Sequence, residues 1–193
     1  MSASTEDKQP TSAFYTREGD DGYTGLLGKG RIAKSAALME LLGVLDEATA
    51  ALGVARAWAT AGQSKATLLQ AQRDLYLIMT EAAATPENAN HFSRLAAQHV
   101  AWLENAIDAI SQEVTLPKEF IIPGDTPSAA GLDLARTVVR RAERRMVEMV
   151  QLGQVQNENI LVYLNRLSSL CFILELFENR RAGQSTPKLA KGD

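Results

Sequence analysis

The chain has 193 residues, 46% hydrophobic and 22% charged, which suits one domain with a sizeable apolar core and excludes a disordered protein. Its net charge of −3 sets up no global field for nucleic acid or an anionic membrane, so any anion site must be built locally. The single cysteine, Cys171, excludes an intrachain disulfide; in the apolar run Leu170–Leu174 it reads as an inert core thiol, suited to a reducing compartment.

Residues 1–13 are polar, with Glu6 and Asp7, and are expected to be frayed. They resemble neither a secretory signal nor an Arg-rich transit peptide. No apolar stretch reads as long and clean enough to span a bilayer, so a cytoplasmic location is expected. The folded unit is expected over residues 14–182. The tail over 183–193, with Pro187, two glycines and scattered charges, reads as disordered.

The folded part opens on a glycine-rich segment, Thr16 to Arg31, with five glycines. Each costs a helix about 1 kcal/mol relative to Ala, so an irregular loop with a short extended piece is expected. Glycines let backbone N–H groups approach an anion, and Arg17, Lys29, Arg31 and Lys34 stand close by in the sequence. The segment is no Walker A loop, because Gly22 to Gly28 holds one residue too many and Lys29 is followed by Gly30.

From Ala36 the apolar residues adopt helical spacing: Leu38, Leu41, Leu42, Leu45, Ala48, Leu52 and Ala55. One of the adjacent pair Asp46–Glu47 is expected to turn inward and to need a cation. A second helix is predicted over about 64–84, stopping before Thr85-Pro86. A third is predicted over about 92–111, with Leu95, Val100, Leu103, Ile107 and Ile110. A turn-rich connection, Phe120 to Pro127, leads into a fourth over about 128–152, and a fifth runs over about 158–180. With no alternating strands and no repeat, the fold class is all-α, a five-helix bundle. Neither His91 nor His99 has a metal-site neighbourhood, and no Glu-x-x-His pair exists.

The fourth helix holds five arginines and no lysine between Arg136 and Arg145. Arg136, Arg140 and Arg144 share one face, where like charges repel by a few tenths of a kcal/mol per pair. Either an anion offsets that repulsion, gripped by the paired donors of guanidinium, or the row is a solvated face balanced by Asp133, Glu143 and Glu148. On the fifth helix Asn165 sits among Leu161, Leu164 and Leu167, where it either bonds a neighbouring helix or contacts a ligand.

Five segments in this order, Tyr15 to Gly22, Gly43 to Glu47, Phe120 to Gly124, Arg136 to Arg144 and Leu164 to Ser168, resemble the PduO-type ATP:cob(I)alamin adenosyltransferases. The likeness runs from about Tyr15 to Asn179. It implies a helical bundle assembled as a homotrimer with an active site at each interface. It also implies an enzyme that transfers the 5′-deoxyadenosyl group of ATP to cob(I)alamin, forming adenosylcobalamin and releasing triphosphate. By that similarity ATP, with Mg²⁺, is held by Thr16, Arg17, Glu18, Gly19, Thr24, Gly25 and Lys34. Arg140, Arg141, Ala142, Glu143, Arg144 and Asn165 complete the nucleotide site. Asp46 and Arg136 match a carboxylate–arginine pair on the corrinoid side, and Phe120 matches the aromatic that displaces the lower axial base of cobalamin. The implied catalytic set is Asp46, Phe120, Arg136, Arg140 and Asn165, with no protein-bound metal. A cobalamin reductase and an adenosylcobalamin-dependent enzyme are the implied partners; no nucleic acid or membrane is.

The chain departs from the family pattern at several positions. Asp125 follows Pro123-Gly124 where a second glycine is usual, Leu132-Asp133 replaces Leu-His, Ser168-Ser169 replaces Ser-Asp, and Leu42-Gly43 stands for Tyr-Gly. Most lie on the corrinoid side or in bundle packing. The alternatives are a carrier that delivers adenosylcobalamin and an ATP-binding scaffold without transferase activity.

Overall fold

Apolar side chains recurring every three to four residues gather into one core in the computed structural model, which describes residues 14–191. Five helices follow the predicted order: α1 (Ala37–Trp58), α2 (Gly62–Ala83), α3 (Ala97–Ser111), α4 (Pro127–Gln151) and α5 (Glu158–Arg181). The fraying expected over 1–13 lies outside the described residues. α4 packs on both α1 and α5, α2 packs on α1, and α3 packs on α5. Leu45 and Leu52 of α1, Leu75 of α2, Val139 and Met146 of α4 and Leu164 and Leu167 of α5 are fully buried between them.

The glycine-rich segment contains a small antiparallel hairpin, β1 (Tyr23–Gly25) and β2 (Arg31–Ala33), with Thr24 opposite Ile32. Its tip docks on the end of α2, where Leu27 N–H donates to Ala83 O and Thr85 N–H donates to Leu27 O. Gly28 has φ +153° there, and a Cβ on it would lie 1.7 Å from Thr85 Oγ1. Only glycine allows that approach.

The third helix starts later than predicted. Residues 89–91 form a single 3₁₀ turn, and regular helix begins at Ala97. The reason is Glu81 on α2, whose carboxylate accepts from Arg94 Nε and from Leu95 N–H and so holds this stretch extended. His99 Nδ1 accepts from Ala96 N–H at 3.0 Å and caps the helix.

α5 is, by length and composition, apolar enough to cross a membrane, contrary to the reading of the sequence alone. One face of it is turned into the core, where Tyr163, Leu170, Cys171 and Leu174 are fully buried, while Val162 on another face is exposed. Near its end, Glu178 is buried and accepts from Thr60 N–H (2.8 Å), Thr60 Oγ1 (2.7 Å) and Ala61 N–H (3.2 Å). It thereby caps α2, whose own N-cap Ala61 has no side chain able to do so.

The tail also differs from expectation. Ile122 N–H donates to Lys188 O and Ala190 N–H to Phe120 O, both at 2.8 Å, so residues 188–190 pair with the 120–122 segment. These are backbone bonds, which Pro187 and the glycines of the tail do not advertise in the sequence.

Candidate active site

The N-terminal loop is assembled by side chains reaching beneath it. Arg31 on β2 donates to both carboxylate oxygens of Asp21 at 2.7 Å and to Tyr23 O at 3.1 Å. Those bonds hold the Asp21 carboxyl below its ordinary pKa. Lys34 Nζ donates to Gly19 O at 2.8 Å, and a Cβ on Gly19 would fall 2.8 Å from that nitrogen. Arg17 is the only non-glycine with a positive φ among the described residues (65°), and its guanidinium lies 5.4 Å from the Tyr15 ring centroid. A left-handed residue outside glycine marks a turn kept for a reason beyond packing. The structure thus gathers Thr16, Arg17, Glu18, Gly19 and Lys34 into one exposed turn, beside Thr24 and Gly25 on β1.

The arginines of α4 divide into two sets. Arg141 pairs with Glu47, and Arg145 lies 3.7 Å from Glu40 and 3.3 Å from Glu148, so these two are balanced largely from α1. Arg140 and Arg144 have no carboxylate partner among the described residues; Arg144 Nη1 donates to Arg140 O at 3.1 Å. Of the two readings of the row, the balanced face fits Arg141 and Arg145, and Arg136, which has its own carboxylate partner in Asp133. Arg140 and Arg144 present uncompensated positive charge. Asn165 is exposed: its Nδ2 donates to Glu143 Oε1 at 2.9 Å and its Oδ1 accepts from Arg166 at 2.8 Å. Asn165 therefore ties α5 to α4 beside the two free guanidiniums, with Ala142 buried behind them.

The expectation for Asp46 does not hold within the chain. Both Asp46 and Glu47 are exposed, because Val44, Leu45 and Ala48 take the core-facing side of that turn of α1. Arg136 pairs instead with Asp133, three residues before it, with Nε and Nη2 each 2.8 Å from Oδ1. Asp133 is the residue that replaces histidine in the family pattern, and it supplies the intrachain partner.

A cleft of about 690 Å³ brings Phe120, Arg136 and Arg140 together. Its other walls include Ile107, Leu116, Phe172 and Ile173, with Ser168 and Ser169 on α5. Phe120 is 89% exposed, projecting an aromatic ring with no protein packed on it. The sequence reading missed Leu116, Phe172 and Ile173; Phe172 stands four residues after Ser168, and that spacing was the available signal. No hydrogen bond or ion pair among the described residues joins the loop at 16–34 to α4. Cys171, pushed up to about 12 by burial, is no nucleophile.

Fold and site define a helical bundle that presents uncompensated guanidiniums at one edge of a mainly apolar cleft. A sequence model described as cobalamin adenosyltransferase matches residues 14–178. A corrinoid adenosyltransferase of Bacillus subtilis is 37% identical over 175 residues, covering 88% of each chain. One from Mycobacterium bovis is 40% identical over 172 residues, covering 86% of this chain and 88% of its own. A variant of the PduO-type ATP:corrinoid adenosyltransferase from Lactobacillus reuteri, solved with cobalamin and ATP, superposes with a TM-score of 0.81. That structure is 29% identical and covers 93% of this chain and 99% of its own. The chain belongs to the cobalamin adenosyltransferase family.

Proposed function

We propose that this protein transfers the 5′-deoxyadenosyl group of ATP to cob(I)alamin and releases triphosphate. The observation that supports it best is Arg140, without a carboxylate partner among the described residues and standing where the apolar cleft meets the arginine row. One side chain can thus touch both a leaving polyphosphate and the reacting centre.

The chemistry asks little of the protein as a nucleophile. Cobalt(I) supplies the electron pair for the new Co–C5′ bond, and the C5′–O bond breaks with its pair leaving on the triphosphate. The protein's task is to hold C5′ in line with cobalt and to stabilise the departing charge. Arg140 and Arg144 provide paired donors for phosphate oxygens, with Arg141 and Glu143 flanking them and Asn165 fixing Glu143. The Thr16–Gly19 turn, Thr24, Gly25 and Lys34 supply backbone and ammonium donors from the other side. Phe120 presses an apolar ring on the lower corrinoid face, displaces the axial base and keeps water out, which eases reduction of Co(II) to Co(I). Asp46, solvent-facing in one chain, is free to pair with a cation across an interface.

We further infer a homotrimer in which the loop of one protomer faces α4 of the next. The exposed apolar surface of Val54, Trp58 and Leu134 on α1 and α4 supports this, as does the lack of any hydrogen bond or ion pair between loop and α4 among the described residues. No group of three metal-binding side chains exists among the described residues, so Mg²⁺ would be held mainly by the phosphates. The buried lone thiol suits a cytoplasmic location. The experiment is a reaction of ATP with cob(II)alamin under reducing conditions, followed by the absorbance change to alkylcobalamin. Triphosphate should appear one-for-one with adenosylcobalamin; binding of the corrinoid with no triphosphate would leave only a carrier.

A further inference from the structure

One buried carboxyl that the proposed reaction does not use feels both members of the Asp133–Arg136 pair. Glu175, one turn beyond Cys171 on α5, is 1% exposed, and neither of its carboxyl oxygens has a hydrogen-bond partner among the described residues. A buried carboxylate without partners is strongly unfavourable, so the group must stay neutral or acquire a cation. One guanidinium is within electrostatic reach. Arg136 acts on Glu175 favourably, while Asp133 of α4 and Asp125 of the segment leading into α4 oppose its ionisation. Cys171 is the other titratable group of the cluster, and α3 adds no charge that acts on Glu175. Two carboxyl groups therefore stand around a single guanidinium, and only Asp133 is bonded to it.

We propose that Glu175 is a positioning residue for the corrinoid cleft: as a neutral acid it leaves Arg136 to Asp133 at the cleft wall, and as a carboxylate it competes for that guanidinium and draws it into the bundle. The inference rests on the reading of this cleft as the corrinoid site. Burial, aided by Asp133, raises the Glu175 pKa to about 7, so the two states exchange in the neutral range. A bound corrinoid that needs Arg136 at the wall favours the neutral acid and raises that pKa further. Affinity is then full on the acid side and falls as pH rises through about 7. Neither His91 nor His99 lines the cleft, so neither histidine stands in for Glu175 there.

The test is titration of the full-length protein with cob(II)alamin in the presence of ATP, at steps from about pH 6 to about pH 8.5, with ATP affinity measured separately. The wild type should lose affinity with one midpoint near 7, about tenfold for each unit by which the corrinoid raises the Glu175 pKa. Glu175→Gln should hold the acid-side affinity across the range, with ATP affinity unchanged; this also separates Glu175 from titration of ATP itself. Asp133→Asn leaves Glu175 as the remaining carboxyl for Arg136 and should move the midpoint to lower pH. A transition that persists in Glu175→Gln, an unmoved midpoint in Asp133→Asn, or a flat wild-type profile overturns the proposal. Normal ATP binding with no corrinoid binding at any pH would overturn the cleft assignment itself.

Discussion

Arg140 and Asn165 are the residues whose replacement separates chemistry from folding most cleanly. Both are exposed, so Arg140→Ala and Asn165→Ala should leave helical content and thermal stability near wild type, within about 0.5 kcal/mol. Adenosylation should fall by about 10²–10³ in kcat for Arg140→Ala, the scale for losing one donor aimed at developing charge. Arg140→Lys keeps the charge but loses the paired donors and should recover only part of that rate. Phe120→Ala should likewise leave stability unchanged, since the ring is 89% exposed, and slow the reaction only when it starts from cob(II)alamin. Steady-state rates from pre-reduced and from Co(II) substrate check this. At this scale glycine and arginine announce anion chemistry by type, which is what makes the loop and the arginine row candidates in the sequence. The partners are not announced in this way: Asp133 takes Arg136 from Asp46 through an i,i+3 contact, and Asn165 finds Glu143 across two helices. Such choices depend on which face of each helix turns inward.

Among the elements, α2 depends on a carboxylate from the far end of the chain. Burial alone would raise the Glu178 pKa, but the hydroxyl and backbone donors around it outweigh that and leave it lowered. A lowered carboxyl pKa gives stability that is present above the ordinary carboxylate range and lost as pH falls through the folded-state value. Glu178→Gln should therefore destabilise by about 1.5–3 kcal/mol at neutral pH and by much less in acid, measured by denaturant titration at both. Glu175 has the opposite sign. Its raised pKa makes the wild type most stable below the unfolded-state value and less stable as pH rises through about 7. Glu175→Gln should raise the melting temperature above that pH and change little in acid. The helices themselves were legible from apolar spacing over long runs. The hairpin and the late start of α3 were not, because each is decided by contacts remote in sequence: Leu27 with Ala83, and Glu81 with Leu95.

For the whole molecule, the proposed trimer brings the N-terminal loop of one protomer to α4 of the next. Under the proposed function, the exposed turn at Thr16–Gly19 and the guanidiniums of Arg140 and Arg144 would each be half of an anion site, and a polyphosphate against them would offset the repulsion between those two arginines. The resemblance carried by the sequence motifs implied the trimer, but neither periodicity nor composition encodes which faces of α1 and α4 join protomers. A crystal structure with ATP bound tests this most directly. One triphosphate should be contacted by Arg17, Gly19 and Lys34 of one protomer and by Arg140, Arg144 and Asn165 of its neighbour. A nucleotide bound at the loop with the arginine row remote from it, within and between protomers alike, would contradict it.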